Sequence, residues 1–368
     1  MKIAVYAIAK NEQSNVAGWL ENVKDADGIF VFDTGSADET ISMLREGGAV
    51  VNQMNTLKVF RFDHARNEAM SYVPDDYDVL VSLDFDERLS PDWRQAIEEN
   101  FTAEIDAANY TLVYDFDEAG NVRMSYPRMA VHRPKSVTWQ YAVHEICIPI
   151  VKGKAVTLPF YCVHYGQPKE PGHYLDLLKL AHAENPDDAR NLQYLAREYY
   201  AMSNFAMADQ LYKQHMDIEE YPPFRSESAR RVAHMATDYE IGEWWFRQAV
   251  QYCNNIREPY CELADFYFYH KQYEHCIAYV RSALLVERPT YDMIYSDKYY
   301  NGSWCNHMLM ACYQQIGNLR AAQQQKEILL QMYEGVQLPP HVEKDIALVD
   351  RATQEALYVY LDSVGVQR

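Results

Sequence analysis

The chain has 368 residues, is 48% hydrophobic and 13% aromatic, and carries a net charge of −19. That length accommodates two domains with separate cores, and the charge disfavours non-specific binding to nucleic acid or an anionic membrane, which needs clustered Lys and Arg. No apolar run reaches the roughly 18 residues of a membrane helix, and seven scattered cysteines without C-x-x-C spacing argue against zinc or a disulfide framework.

The acidity is shared by both halves. Residues 1–170 hold 16 basic and 26 acidic side chains, a balance of −10; residues 171–368 hold 18 and 27, a balance of −9. Met1–Ile8 is too short for a signal-peptide core and leads into Lys10-Asn11-Glu12, so it is expected to be a first strand of a cytoplasmic protein. A helix is predicted over about Asn15–Lys24, a strand at Gly28–Phe32, a helix at Asp38–Glu46, a strand at Val59–Phe62, a helix from Ala65 and a strand at Val79–Leu83. This alternation predicts an α/β domain, residues 1–168, with a mainly parallel sheet and a ligand site at the carboxyl ends of its strands. Polar clusters sit at those ends: Lys10-Asn11-Glu12, Asp33-Thr34-Gly35-Ser36, Asp63–Asn67 and Asp84–Glu87.

Asp84-Phe85-Asp86-Glu87 closes the apolar run Tyr77–Leu83. In an extended chain Asp84 and Asp86 project together while Phe85 turns back to the core. Two adjacent carboxylates repel, and a hard divalent cation, Mg²⁺ or Mn²⁺, removes that penalty. A second Asp-Phe-Asp-Glu at 115–118 precedes Ala119-Gly120-Asn121 between alternating apolar runs, so a hairpin turn explains it better than an ion site.

Gln167-Pro168-Lys169-Glu170-Pro171-Gly172 has the composition of a linker. From His173 to 368 the pattern is helical and weakly repetitive. Leu195-Ala196 with Tyr199, Ala208 and Tyr212 has the spacing of a tetratricopeptide helix pair; Leu263-Ala264, Tyr267, Cys276, Ala283 and Pro289 repeat it. Met310-Ala311, Tyr313, Gly317 and Ala322 make a further copy, and Val232-Ala233 a poorer one, with Trp245 where a small residue is expected. The Ala-type positions 196, 233, 264 and 311 are spaced 37, 31 and 47 apart, the long gap predicting an inserted loop at Tyr291–Trp304.

Taken together, Lys10-Asn11-Glu12, the run Asp33-Thr34-Gly35-Ser36-Ala37-Asp38-Glu39-Thr40, Phe62-Asp63-His64-Ala65-Arg66-Asn67, the Asp84–Glu87 motif, Val143-His144-Glu145 and His164-Tyr165-Gly166 resemble, in order, the motifs of inverting family 2 glycosyltransferases of the GT-A fold. The branch most similar carries tetratricopeptide repeats behind the catalytic domain, and includes bacterial enzymes that glycosylate peptides or extend lipopolysaccharide. The third block departs from the family's D-F order. The resemblance implies a nucleotide-sugar donor, UDP-hexose favoured, and an Mn²⁺ or Mg²⁺ ion held by Asp84, Asp86 and His164. It implies Asp33 and Glu12 at the nucleoside, Lys10 on the same rim, and Arg66 either at the diphosphate or holding Asp84. Asp38 is expected to cap the next helix. Inversion needs a general base opposite the leaving group; Glu145 is the first candidate and His144 the second, with Trp139 and Tyr141 placed to stack on a sugar.

Two other D-x-D enzyme classes fit less well. Haloacid-dehalogenase-type phosphatases place the motif after the first strand, and sugar-nucleotide pyrophosphorylases need a glycine-rich basic loop where Lys10-Asn11-Glu12 stands. The acceptor is left open among peptide, saccharide and, less favoured, a modified nucleobase, and the repeats are expected to bind it or a second subunit as a homodimer. The alternative is a tetratricopeptide-type interaction protein with an inactive glycosyltransferase-like front domain.

Overall fold

A computed structural model describes residues 1–54, 60–116, 122–150, 154–166, 169–287, 297–300 and 302–363. The chain divides into two compact units, Met1–Asn204 and Phe205–Arg368.

The first unit contains strands β1 (Ile3–Ala9), β2 (Gly28–Asp33), β3 (Val50–Gln53), β4 (Val79–Ser82), β5 (Glu87–Leu89), β6 (Ile105–Phe116), β7 (Val122–His132), β8 (Val137–Gln140), β9 (Ile146–Pro149) and β10 (Lys154–His164). Its helices are α1 (Gln13–Asn22), α2 (Thr40–Glu46), α3 (Phe62–Ser71), α4 (Trp93–Asn100), α5 (Leu175–Glu184) and α6 (Ala189–Ala201). Eight strands form one sheet in the order β3-β2-β1-β4-β7-β6-β10-β5; β8 and β9 pair separately. The β3-β2-β1-β4 half is parallel, as the alternating pattern predicts, whereas β7 runs antiparallel to both β4 and β6, so the sheet is mixed.

β1 is apolar throughout because helices cover both its faces. Ile3, Val5, Ala7 and Ala9 pack with Trp19 of α1 and Trp93 of α4, while Ala4 and Tyr6 pack with Ala65 and Ala69 of α3. Phe85 is buried against Trp19 (4.5 Å, stacked), as expected. The expected strand at Val59–Phe62 is not one. Val59 lies outside the described residues; Phe60 packs edge-on against Phe62 (4.8 Å), and Phe62 opens α3 after an extended Arg61. The third parallel strand is instead β3, half-exposed at the sheet edge.

The predicted linker does not separate the units. Gln167 and Pro168 lie outside the described residues, but Gly172 donates its N–H to Glu198 Oε1 of α6 (2.8 Å). Glu184 at the end of α5 bonds Arg61 Nη1 (2.5 Å), Asp188 bonds Tyr141 Oη (3.3 Å) and Arg190 bonds the His144 carbonyl (2.8 Å). These polar ties fasten α5 and α6 to the sheet, and the division falls at 204/205 instead of 168/173.

The second unit consists of α7 (Phe205–Ile218), α8 (Pro222–Met235), α9 (Tyr239–Tyr252), α10 (Glu258–Tyr269), α11 (Tyr273–Leu284), α12 (Asp297–Tyr300), α13 (Ser303–Gln315), α14 (Leu319–Met332) and α15 (Pro340–Ser363). A turn geometry recurs at the ends of α6, α10 and α13. Ser203, Lys271 and Gly317 are left-handed (φ 59°, 60° and 75°), and the next N–H bonds back to the carbonyl of Tyr199, Tyr267 or Tyr313 (2.9, 2.8 and 2.8 Å). In each case the next helix starts two residues after the left-handed one. These are the tyrosines of the sequence repeat. The α8 copy lacks this turn, and there Gly242 makes the close approach: a Cβ on it would sit 3.1 Å from the Phe266 ring. Trp245, one turn on, is partly buried against the unit's core. Much of the expected loop at Tyr291–Trp304, like Asp117 and Glu118 of the second acidic motif, lies outside the described residues; Asp297–Tyr300 is helical.

Candidate active site at the strand ends

The loops after β1 and β2 are laced together. Asn11, left-handed at φ 57°, accepts the Ala37 N–H on Oδ1 (2.8 Å) and donates its own N–H to Ser36 Oγ (2.8 Å). Asp33 spends its carboxylate on this turn, accepting from Gly35 N (3.0 Å), Ser36 N (3.0 Å) and Ser36 Oγ (2.5 Å). It is thus a buried turn-former by its contacts. Asp38 accepts from Thr40 N (3.1 Å) and Thr40 Oγ1 (2.6 Å) just before α2, but it is not the expected cap: the N-cap position is Glu39, which makes no side-chain capping bond. Lys10 is exposed on the rim. Glu12 accepts from Asn15 (2.8 Å), and burial together with the nearby charges of Asp86 and Asp84 raises its pKa.

After β4 the chain does not stay extended. The Glu87 N–H bonds back to the Asp84 carbonyl (3.0 Å), a turn that sends the two aspartates to different partners. Asp84 meets Arg66 (Nη1–Oδ1 2.8 Å, Nη2–Oδ2 2.9 Å) and Arg128 (Nη2–Oδ2 3.1 Å). The two guanidiniums hold its carboxyl well below the usual range. Arg66 also gives Nε to Glu145 Oε1 (2.5 Å), and Arg128 gives Nη1 to the buried Glu87. Glu145–Arg66–Asp84–Arg128–Glu87 is therefore an alternating chain of charges, which is how buried ions are tolerated. Asp84, expected to share an ion with Asp86, is matched here by two guanidiniums.

Asp86 turns to His164, Oδ2 to Nε2 at 3.4 Å, and is 37% exposed. The Tyr165 N–H to Asp86 carbonyl bond (2.7 Å) and the β5–β10 pairing of Glu87 with His164 bring the two together. The Tyr114 ring stacks on the imidazole (4.6 Å, 8°), and the Asp86 carboxylate raises its pKa. Gly166 seats this pair. A Cβ there would collide with the His164 ring and lie 2.6 Å from Asp86 Oδ2.

His144 is left-handed (φ 53°), stacks on Tyr194 (4.1 Å) and is pushed down to about 4 by burial, so it is neutral near pH 7. Trp139 is not a sugar platform. It is buried, its Nε1 donates to Tyr6 Oη (2.8 Å), and Arg66 covers its ring at 4.8 Å. Tyr141 lies under Arg190 (5.2 Å).

No family model matches the chain. Among solved structures the chain is similar to a MamA protein (11% identity, TM-score 0.36, covering 45% of this chain and 87% of that one). It is similar also to YrrB, described as a TPR protein with an unusual peptide-binding site (14%, 0.38, 48% and 84%). A third is TTC0263, a TPR protein of Thermus thermophilus (18%, 0.32, 48% and 88%). No helix among the described residues is long and apolar enough to cross a membrane.

Arg128 is the principal residue that motif reading missed. It lies mid-strand in β7, and only strand pairing, Tyr110 with Arg128 and Leu112 with Tyr126, puts it on the face that carries the site.

Proposed function

We propose that the first unit is a metal-dependent inverting glycosyltransferase of the GT-A fold, moving a hexose from a nucleotide-sugar donor, UDP-hexose favoured, to a peptide or saccharide acceptor. The observation that carries this reading is the Asp86–His164 pair, seated by Gly166, with the adjacent Asp84 tied through Arg66 to Glu145.

Among the described residues no cluster of three or more His, Cys, Asp or Glu side chains is placed to hold an ion. A carboxylate and an imidazole side by side nevertheless fit Mn²⁺ or Mg²⁺, which keep waters and complete their shell with substrate phosphates. Asp86 and His164 would hold the ion, and Asp84 would not. When bound, such an ion supplies positive charge to a departing diphosphate. The chain's own residues do the rest. Arg66 orients Glu145 through Oε1, leaving Oε2 to accept the acceptor's proton as the sugar is attacked from the face opposite the diphosphate. Neutral His144, wedged against Tyr194, orders the backbone that presents Glu145. The lacing of the first two loops, with Asp33 shaping the turn, holds the rim on which Lys10 and Glu12 would receive the nucleoside.

Isothermal titration of UDP-hexoses with and without Mn²⁺ tests this directly. Binding should require the ion and be lost in Asp86→Ala; metal-indifferent binding, or none, overturns the assignment. A second reading is favoured by the pairing of Asp84 and Glu145 to guanidiniums. It is an interaction protein whose repeats bind peptide or a second copy and whose front unit is silent. That reading predicts no donor binding at all.

A further inference from the structure

Every backbone carbonyl of the turn between β4 and β5 is taken. Asp84 O accepts the Glu87 N–H (3.0 Å), and Asp86 O accepts the Tyr165 N–H (2.7 Å). The other two, Phe85 O and Glu87 O, flank Asp86 and accept from a single nitrogen, Arg88 Nη1 (2.8 and 2.6 Å). Strand alternation sends Glu87 inward to Arg128 and its neighbour Arg88 the other way, toward α1. There Arg88 Nη2 reaches the Asn15 carbonyl (3.4 Å) in the helix's first turn. All three hydrogen-bond partners of this half-buried guanidinium are carbonyl oxygens, and among the described residues no carboxylate pairs with it. A cation withdrawn from water without an ion pair carries a desolvation cost, so its place needs a reason other than charge matching.

Helix α1 is shaped to receive it. Gly18 lies beneath the guanidinium: a Cβ there would sit 3.0 Å from Nη2 and 3.6 Å from Nε. One turn on, the Asn22 side chain pairs with the Leu89 backbone in both directions (2.9 Å each), and Trp19 stacks on Phe85. The same helix starts next to Glu12, which accepts from Asn15 Nδ2 (2.8 Å) and, on its carbonyl, from the Asn15 N–H (2.8 Å). Arg88 thus bridges the turn that carries Asp86 and the helix turn that carries Glu12.

We propose that Arg88 is a positioning residue that aims the Asp86 carboxylate at His164 by gripping the backbone around it, an inference that rests on the glycosyltransferase reading for its catalytic meaning. The Asp86 side chain is not fixed by its own contact, because 3.4 Å to His164 Nε2 is long for a hydrogen bond and the group is partly exposed. Its direction is set instead by the peptide planes on either side. Arg88 holds the plane before Asp86 and the one after Glu87, and Tyr165 holds the plane between them. A candidate metal ligand needs such outer support to stay within a fraction of an ångström of its place. A mere strut between β5 and α1 would need no donor on both sides of Asp86; the Asn22–Leu89 pair already ties those elements.

Isothermal titration of the full chain with Mn²⁺ in the presence of UDP, together with crystal structures of the metal-free variants, tests the proposal. Arg88→Ala should weaken Mn²⁺ binding by roughly 10–100-fold, the usual loss when the support of a metal ligand is removed. Millimolar guanidinium should restore part of it in Arg88→Ala and none in Asp86→Ala. An open groove of about 370 Å³, lined by Gly18, Lys24, Arg88 and Trp93, gives the added ion its way in. Arg88→Met keeps the side chain's bulk without its donors and should show the same loss, which keeps the test decisive if Arg88→Ala unfolds. In metal-free crystals of either variant the Asp86 carboxylate should have moved away from His164. Wild-type Mn²⁺ affinity in both variants, a carboxylate that stays where it is, or a loss that guanidinium does not restore overturns the proposal. Should the wild type itself take up no Mn²⁺, the glycosyltransferase reading falls, and the metal-free crystals still decide whether Arg88 aims Asp86.

Discussion

Arg66 presents Nε to Glu145 Oε1 at 2.5 Å while its two terminal nitrogens grip Asp84. One buried guanidinium thus joins the end of β4 to the loop before β9, and the two acidic groups owe their tolerable burial to it.

Removing that cation leaves two carboxylates short of a partner. Arg66→Ala should lower unfolding free energy by about 3–5 kcal/mol, the usual cost of breaking a buried pair from one side. Adding Glu145→Gln should recover part of the loss, because one of the stranded charges disappears. Denaturant titration measures both; a loss under about 1 kcal/mol would mean that water reaches these groups freely.

Glu145→Gln by itself keeps an oxygen for Arg66 Nε but abolishes proton acceptance. If Glu145 is the base, sugar transfer should fall roughly 10²–10⁴-fold with donor binding retained. Loss of donor affinity together with rate would show that the residue shapes the binding site instead.

Strands β1, β2 and β4 of the parallel half were legible because they are largely buried and each ends in a polar cluster; the edge strand β3, half-exposed, was not. Asp86, His164 and Glu145 could be picked out by motif. What sequence hid was pairing between distant strands. Arg128 has no motif, and the β4 turn breaks the two-residue alternation that would have kept Asp84 and Asp86 together. The repeat tyrosines were legible, since Tyr199, Tyr267 and Tyr313 each take the same turn bond. That the first of them, on α6, belongs with the sheet was not, because the ties of that helix and its cap to Tyr141 and His144, and of α5 to Arg61, are long-range polar contacts.

Gly166 offers a test that touches neither candidate ligand. Its missing Cβ leaves room for the His164 ring and Asp86 Oδ2. Gly166→Ala should push the pair apart and reduce Mn²⁺-dependent donor affinity by roughly tenfold or more, with a small change in stability, since the site lies at the surface. Unchanged metal dependence would separate Asp86 and His164 from the ion.

The last prediction concerns a buried relay under the site. His132 Nδ1 faces the Arg133 carbonyl (2.9 Å), which can only accept, so the proton sits on Nδ1 and Nε2 must accept from Tyr6 Oη (2.9 Å). Tyr6 in turn accepts from Trp139 Nε1 (2.8 Å). Burial pushes His132 down to about 4, whereas in the unfolded chain it titrates near 6.5. The unfolded state therefore takes up a proton first as pH falls, and stability is full above about pH 6.5 and declines until about pH 4, by about 3 kcal/mol. The stability difference between wild type and His132→Gln should shift against the wild type by that amount between pH 7 and 4. Tyr6→Phe, which strands both Nε2 and the Trp139 N–H, should cost about 1–3 kcal/mol at neutral pH. A pH-independent difference between wild type and His132→Gln would mean that the folded imidazole titrates as in the unfolded chain, and a difference that moves in favour of the wild type on acidification would mean that it is protonated in the folded protein, with Tyr6 then forced to accept from both neighbours.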